Sequence, residues 1–260
     1  MMSLEDCTAI VTGGSSGIGR AIATRLAEDD ANVVVADVRR EPKQGKYFQE
    51  DVTTPTDEVI QTNFEGDATY IETDVAEEED IINLIDSTIE QYGQLDVLVN
   101  NAGIEIPGDS RGTSLEHWQR VVGVNLTGCF LAAKYAVPHL VESDQGRIVN
   151  ISSVNAHFGG AGPSYASTKA GVVNLTRDLA VELAPAEVTV NTVLPGVIGT
   201  PMQDTLDEET LERQSENTPL PRIGTPRDVA NAVRFFAGKE AEWITGAQLL
   251  VDGGYMAGGY

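Results

Sequence analysis

The stretch Thr12-Gly13-Gly14-Ser15-Ser16-Gly17-Ile18-Gly19 decides the fold. It follows the apolar run at 7–12 and precedes Ala21, Ile22 and Leu26, which are spaced as on a helix. Glycines at a strand-to-helix turn let the backbone approach a pyrophosphate, and the helix N-terminus supplies N–H groups and a favourable dipole. A Gly-rich turn alone is only a tight loop. Here the next apolar run ends in an acid, Asp37, eighteen residues beyond Gly19. Turn and acid together read as a dinucleotide-binding βαβ unit.

Outward from this unit the pattern repeats. Apolar, β-branched runs at 7–12, 32–37, 68–73, 95–100, 146–151, 188–194 and 248–251 are predicted strands. Several are apolar at consecutive positions, as in Val33-Val34-Val35 and Val97-Leu98-Val99, the pattern of parallel strands covered on both faces. Between them Ile81, Ile82, Ile85 and Ile89, and later Leu175, Leu179 and Leu183, recur at helical spacing. This alternation predicts one α/β domain over all 260 residues, a Rossmann-type doubly wound parallel sheet with helices on both faces. Two stretches break the rhythm. Residues 39–56 are polar and rich in Pro, Gly and Lys, an expected surface excursion. Residues 201–221 are acidic and follow a strand's C-terminal end, where a substrate lid would lie, although a solvated helix pair without a gating role is the alternative.

Forty acids against 17 bases leave a net charge of −23. Such a field repels nucleic acid and anionic membranes, which argues against both as partners. The acids are spread along the chain (Glu28-Asp29-Asp30, Glu77-Glu78-Glu79-Asp80, Asp207-Glu208-Glu209), which predicts a uniformly acidic surface. A high-salt cytoplasm would screen the self-repulsion, since the Debye length falls to roughly 3 Å at 1 M salt. The alternative is an ordinary acidic enzyme. No apolar run approaches the ~20 residues that span a bilayer. The acidic start, Met1-Met2-Ser3-Leu4-Glu5-Asp6, shows no signal peptide. Cys7 and Cys129 lie in apolar segments without metal-ligand spacing, as buried thiols of a reducing compartment do, so the expected location is the cytoplasm.

Asp37 also bears on the nucleotide. A carboxylate there accepts hydrogen bonds from the adenosine ribose and repels a 2′-phosphate, and Ser16 offers no cation to such a phosphate. NAD is therefore expected over NADP, with Arg39 and Arg40 as the counter-argument. Further along, Tyr165-Ala166-Ser167-Thr168-Lys169 follows the serine pair Ser152–Ser153. A phenol, an ammonium and a hydroxyl in this context form a proton-transfer device for a carbonyl/alcohol pair. No His/Cys/Asp grouping has metal spacing, so no metal is expected.

With these segments in place the chain resembles the short-chain dehydrogenase/reductase family over essentially its whole length. The matching pieces are Thr12 to Gly19, Asp74-Val75, Asn100-Asn101-Ala102-Gly103, Val124-Asn125, the set Ser153/Tyr165/Lys169, Pro195-Gly196 through Thr200, and Val251-Asp252-Gly253-Gly254. The resemblance implies that Gly13, Ser15, Ser16, Gly17, Ile18 and Gly19 bind the cofactor together with Asp37. It implies that Asp74 and Val75 flank the adenine, and that Asn101, Ala102 and Gly103 pass beneath its ribose. Pro195, Gly196, Ile198 and Thr200 would hold the nicotinamide end. Tyr165 would exchange the proton, Lys169 would bind the nicotinamide ribose, and Asn125 would hold a water that relays protons from Lys169. A free phenol has a pKa of about 10; the Lys169 ammonium and the oxidised nicotinamide should lower it.

The family's catalytic serine commonly lies thirteen residues before the tyrosine, which counts to Ser152, yet Ser-Ser-Val followed by Gly159 aligns Ser153. Ser153 is chosen; on a strand the two hydroxyls point to opposite faces, so only one should matter. Asn155 and His157 would join Ser153 and Tyr165 around the substrate, while His117 and His139 read as surface positions and Trp118 as core or subunit interface. The resemblance also implies a homotetramer, built on the helical stretches at 114–141 and 164–183 and on the C-terminal segment. Pro219-Leu220-Pro221-Arg222-Ile223-Gly224-Thr225-Pro226 is similar to both 3-oxoacyl-carrier-protein reductases and sugar dehydrogenases of the family. The expected activity is an oxidoreductase on a small secondary alcohol or ketone, a 3-oxoacyl thioester or a sugar or polyol. A silent NAD-binding regulator is the alternative of another class; such a protein would be expected to lose Tyr165 or Lys169, and this chain has both.

Overall fold

In the computed structural model, which describes residues 4–49 and 52–258, seven strands form one sheet. They are β1 (Thr8–Thr12), β2 (Asn32–Asp37), β3 (Ala68–Glu72), β4 (Val97–Asn100), β5 (Arg147–Ile151), β6 (Thr189–Pro195) and β7 (Gln248–Val251). The helices are α1 (Gly17–Ala27), α2 (Thr56–Asn63), α3 (Glu78–Tyr92), α4 (Leu115–Val122), α5 (Gly128–Leu140), α6 (Pro163–Leu183), α7 (Glu208–Asn217) and α8 (Pro226–Ala237). Every strand pair is parallel, in the order β3-β2-β1-β4-β5-β6-β7. All seven predicted strands are present. The order reverses where β1 meets β4, so chain leaving the C-terminal ends of these strands opens a crevice.

The period-two alternation of the strands sorts side chains into two cores. Ala9, Val11, Val33, Val35, Val97 and Val99 pack with Ile22 and Leu26 of α1 and Val229 and Phe236 of α8. Ile10, Val34, Leu98 and Ile148 face the other way, onto Ile81, Leu84 and Ile85 of α3 and Ala132 and Ala136 of α5. At the sheet's edge, β7 leaves Leu249 and Leu250 exposed.

One expectation needs correction and two are refined. Leu115–Leu140 runs as one continuous helical stretch of 26 residues holding an 18-residue window of mean hydropathy 1.3, long and apolar enough to cross a membrane by length and composition alone. Half of that window is buried inside the fold, and α5 lies against α3, β4 and β5, which accounts for its apolar face. Trp118 on α4, read as core or subunit interface, is 36% exposed, which removes the core alternative and leaves the interface one. The excursion at 39–56 does not stand clear of the protein; its residues 50 and 51 lie outside the described residues, as do 1–3 at the N-terminus. The Lys43 amide donates to Ser16 Oγ (2.6 Å), and the Lys46 amide donates to Asp204 Oδ1 (2.9 Å). Phe48 lies against Gly199 and Gly45 against Pro201. The segment is a surface one, exposed or partly exposed at its described residues before Thr56, and two of its backbone donors are satisfied on the rim of the crevice.

Candidate active site

Thr12 staples the two strand ends that border the crevice. Its hydroxyl oxygen accepts from the amides of Asn101 and Ala102 (both 3.0 Å), while Asn101 Nδ2 donates back to the Thr12 carbonyl (2.8 Å). The approach is so close that a Cβ on Gly13 would sit 2.9 Å from Ala102 Cα, and Gly13 adopts φ +65°. Glycine is required there. The turn then enters α1 through Gly17, also at positive φ. Asp37 Oδ2, at the end of β2, accepts from the Ser15 amide (3.1 Å), and burial raises the Asp37 carboxyl above its ordinary range. Ser15 Oγ is buried without a partner among the described residues. A helix start, a left-handed glycine and an orphan hydroxyl suit an anionic diphosphate. The Gly17 amide itself donates to Gln49 Oε1 (3.2 Å), so an incoming diphosphate would have to displace that side chain.

From this turn a cleft of about 540 Å³ runs along the C-terminal ends of β1, β4, β5 and β6. Every residue expected to touch a dinucleotide lines it except Ser15. Thr200 closes one wall, its methyl group 3.4 Å from where a Gly17 Cβ would be. Asp74 lies opposite, paired through Oδ2 with Arg120 (3.0 Å). The 3₁₀ turn Pro201–Thr205, the start of the expected lid, lines the cleft as well.

At the far end three side chains meet. Tyr165 sits in the first turn of α6 behind Pro163, and Lys169 one turn later. Ser153, which follows β5, shares a hydrogen bond with the Tyr165 phenol. Lys169 Nζ donates to the Ile151 carbonyl (2.9 Å) and lies 5.7 Å from the Tyr165 ring centroid. Ser152 is turned the other way, donating to the Lys169 carbonyl (2.7 Å). The residues expected near the substrate divide differently. Asn155 accepts from the Ser153 hydroxyl (3.2 Å), while His157 is exposed, and neither lines the cleft.

Asn125 occupies a π turn, Gly123–Thr127, between α4 and α5. Its Oδ1 accepts from the Ile104 amide (2.8 Å), and its Nδ2 donates to the Ile104 carbonyl (2.9 Å) and to Thr168 Oγ1 (3.3 Å). The side chain thus ties the loop after β4 to the first turns of α6. Asn125 and Lys169 converge on Gly103, where a Cβ would lie 3.4 Å from Lys169 Nζ and 3.5 Å from Asn125 Oδ1.

Burial governs the electrostatics here. It pushes the Tyr165 phenol up to about 12; the Ser153 hydrogen bond opposes this, and the Glu105 carboxylate adds to it. Burial also pushes the Lys169 ammonium down. The protein alone therefore keeps the phenol protonated; the expected lowering by the Lys169 ammonium and the oxidised nicotinamide together belongs to the cofactor-bound enzyme. Sequence reasoning missed Glu105 altogether. It is an unremarked acid two residues beyond Gly103, half-buried in the cleft, with its carboxyl raised by burial.

A doubly wound sheet with a glycine turn, an acid closing β2 and a Ser/Tyr/Lys set defines a nicotinamide-dinucleotide oxidoreductase. Comparison with known proteins agrees. The family model for enoyl-(acyl carrier protein) reductase matches residues 13–256. The chain is 38% identical over 251 residues to 2,5-dichloro-2,5-cyclohexadiene-1,4-diol dehydrogenase LinX of Sphingobium indicum, covering 96% of each. It is 39% identical over 251 residues to glucose 1-dehydrogenase 2 of Bacillus subtilis, covering 95% of this chain and 93% of that one. Among solved structures, the ligand-free aldohexose dehydrogenase of Thermoplasma acidophilum matches with a TM-score of 0.85 and 35% identity, over 99% of this chain and 97% of that one. The chain belongs to the short-chain dehydrogenase/reductase family, and it is an NAD(P)-dependent oxidoreductase acting between alcohol and ketone.

Proposed function

We propose that the protein is an NAD-dependent dehydrogenase of a small secondary alcohol, with Tyr165 as its acid–base group. The observation that carries this reading is the meeting of Ser153, Tyr165 and Lys169 at one end of a cleft whose other end is the β1 glycine turn. The nicotinamide, when bound, supplies the hydride acceptor. The residues to hold the cofactor are the turn at Gly13 to Gly19, Asp37, Asp74-Val75, Asn101 to Gly103, and Pro195, Gly196, Ile198 and Thr200. Tyr165 Oη takes the alcohol proton during oxidation and returns it during reduction. Ser153 orients the substrate oxygen against that phenol. Lys169 places its positive charge beside the ring and stabilises the phenolate. Asn125 acts as a positioning residue, since its side-chain amide is committed to Ile104 and Thr168.

NAD is the favoured nucleotide because Asp37 lines the cleft. Arg40, one of the two cations that argued for NADP, is engaged by Asp57 (2.7 Å) and Glu58 (3.0 Å). Arg39 does line the cleft and is the remaining argument for NADP. The relatives named as diol, glucose and aldohexose dehydrogenases support a polyhydroxy substrate. A 3-oxoacyl thioester is the second reading, favoured by the name of the matching family model and by the segment at 219–226. The exposed Leu115, Trp118, Phe130, Leu249 and Leu250 are consistent with a homotetramer, and the net charge of −23 with work in a high-salt cytoplasm. The test is NADH formation from sugars, polyols and 3-hydroxyacyl thioesters in low- and high-KCl buffer. Turnover should disappear in Tyr165→Phe; undiminished turnover in that variant refutes the reading.

A further inference from the structure

Residues 43–49 reach from the glycine turn to the expected lid and touch both. On the turn, the Lys43 amide donates to Ser16 Oγ (2.6 Å), and Gln49 Oε1 accepts from the Gly17 amide (3.2 Å). On the lid side, the Lys46 amide donates to Asp204 Oδ1 (2.9 Å), and a Cβ on Gly45 would sit 3.2 Å from Pro201 Cα. The Lys46 ammonium is also drawn to the carboxylates of Asp204 and Glu208. Phe48 packs on Gly199, where a Cβ would meet its ring at 2.7 Å. Gly199 lies between Ile198 and Thr200, two residues expected at the nicotinamide end.

This bridge is lightly held and strained. Its residues are exposed or partly buried throughout, so few buried contacts oppose its opening. Gln49 adopts φ +60°, a left-handed conformation that is costly for a residue with a Cβ and persists only where contacts enforce it. The Gly17 amide anchors the Gln49 side chain in that conformation. A diphosphate at the start of α1 needs the same N–H and, being charged, accepts from it more strongly than a side-chain amide oxygen. Displacing Gln49 lets its backbone return to negative φ, which redirects the chain at Phe48 and withdraws the ring from Gly199.

We propose that residues 43–49 are a clasp that ties Pro201–Thr205 to the glycine turn, and that the diphosphate of the dinucleotide opens it by taking the Gly17 amide from Gln49. The proposal rests on the reading of Gly13 to Gly19 as the diphosphate site. Pro201 to Thr205 line the cleft, so freeing them makes access to its substrate end conditional on bound nucleotide. The diphosphate is the trigger and the nicotinamide is not. Coupling of this kind is reciprocal: weakening the clasp at its lid end must tighten nucleotide binding at the turn.

The experiment is hydrogen exchange read by mass spectrometry on peptides covering 43–49 and 201–206, without nucleotide and with saturating ADP-ribose. ADP-ribose carries the diphosphate and lacks the nicotinamide; calorimetry measures its binding. The reporters are the Lys46 amide, held by Asp204, and the Gln203 and Leu206 amides, held within the lid's first turn (3.0 and 2.9 Å). Exchange in both peptides should rise by about tenfold or more with ADP-ribose, while the amides of β1 stay protected. Gln49→Ala should show the faster exchange before any nucleotide is added. Phe48 does not line the cleft, yet Phe48→Ala should bind ADP-ribose a few-fold more tightly than wild type. Bound ADP-ribose that leaves both peptides unchanged, or slows them, overturns the clasp. So does Gln49→Ala exchanging like wild type, or an unaltered or weaker affinity in Phe48→Ala. No binding of ADP-ribose overturns the reading of the glycine turn, and the clasp with it.

Discussion

The Ser152 hydroxyl donates a buried hydrogen bond to the Lys169 carbonyl oxygen across 2.7 Å, whereas its neighbour Ser153 turns to the Tyr165 phenol. One serine holds the helix and the other faces the cleft. Ser152→Ala should cost stability, about 1 kcal/mol and a Tm fall of roughly 3 °C, with kcat/KM kept within a few-fold. Ser153→Ala should leave Tm in place and lower kcat/KM by about 10²-fold or more. Thermal melts and steady-state rates on both variants check this, and the reverse pattern would assign the roles the other way round.

The electrostatics of Lys169 set a pH dependence. A cation favours the phenolate and so lowers the pKa of Tyr165, which burial otherwise holds near about 12. Lys169→Met removes the cation. At saturating NAD, the acid limb of kcat/KM for alcohol oxidation should therefore move to higher pH. A limb that stays put means that Lys169 does not act through the phenol.

Gln49 and the cofactor compete for one amide. Because Gln49 Oε1 accepts from the Gly17 N–H, Gln49→Ala should free that donor and tighten NAD binding by a few-fold. Calorimetric titration of NAD into both proteins measures it. Weaker binding in the variant would make Gln49 a cofactor ligand instead of a competitor.

Nucleotide choice should follow Asp37. Wild type is expected to have the higher kcat/KM with NAD, and Asp37→Ser should gain on NADP by about tenfold or more relative to NAD, as a buried carboxylate no longer opposes a 2′-phosphate. Arg40→Ala should barely alter the ratio, since Asp57 and Glu58 hold that guanidinium. A wild-type preference for NADP contradicts the assignment.

Charge should govern stability across salt. With a net charge of −23, the unfolding midpoint should rise as KCl increases from about 0.1 to about 3 M, where screening removes the self-repulsion. A flat or falling midpoint leaves the protein an ordinary acidic enzyme.

Some of this was legible in the sequence and some was not, for physical reasons. Parallel strands buried on both faces read as continuous apolar runs, so Val33-Val34-Val35 and Val97-Leu98-Val99 announced themselves. The glycine turn was legible because Gly13 has no alternative beside Ala102. The pair Tyr165 and Lys169 was legible only in company with the glycine turn, the Asn100-Asn101-Ala102-Gly103 segment and the family resemblance, since its spacing alone arises often by chance. The π turn around Asn125 was hidden, since one extra residue in a helix leaves no mark on apolar periodicity. Glu105 was hidden because a lone acid in a loop looks solvated until tertiary burial removes its water. The fold-back of Gln49 and Lys46 onto Gly17 and Asp204 is likewise a tertiary fact, 32 and 158 residues apart in sequence.

The most direct measurement is single-turnover reduction of NAD by an accepted alcohol in Tyr165→Phe beside wild type, with NAD affinity measured on both. Loss of the chemical step by about 10³-fold or more, at an NAD Kd within a few-fold of wild type, is the expected result. A rate within about tenfold of wild type at that Kd would contradict the claim that Tyr165 moves the proton.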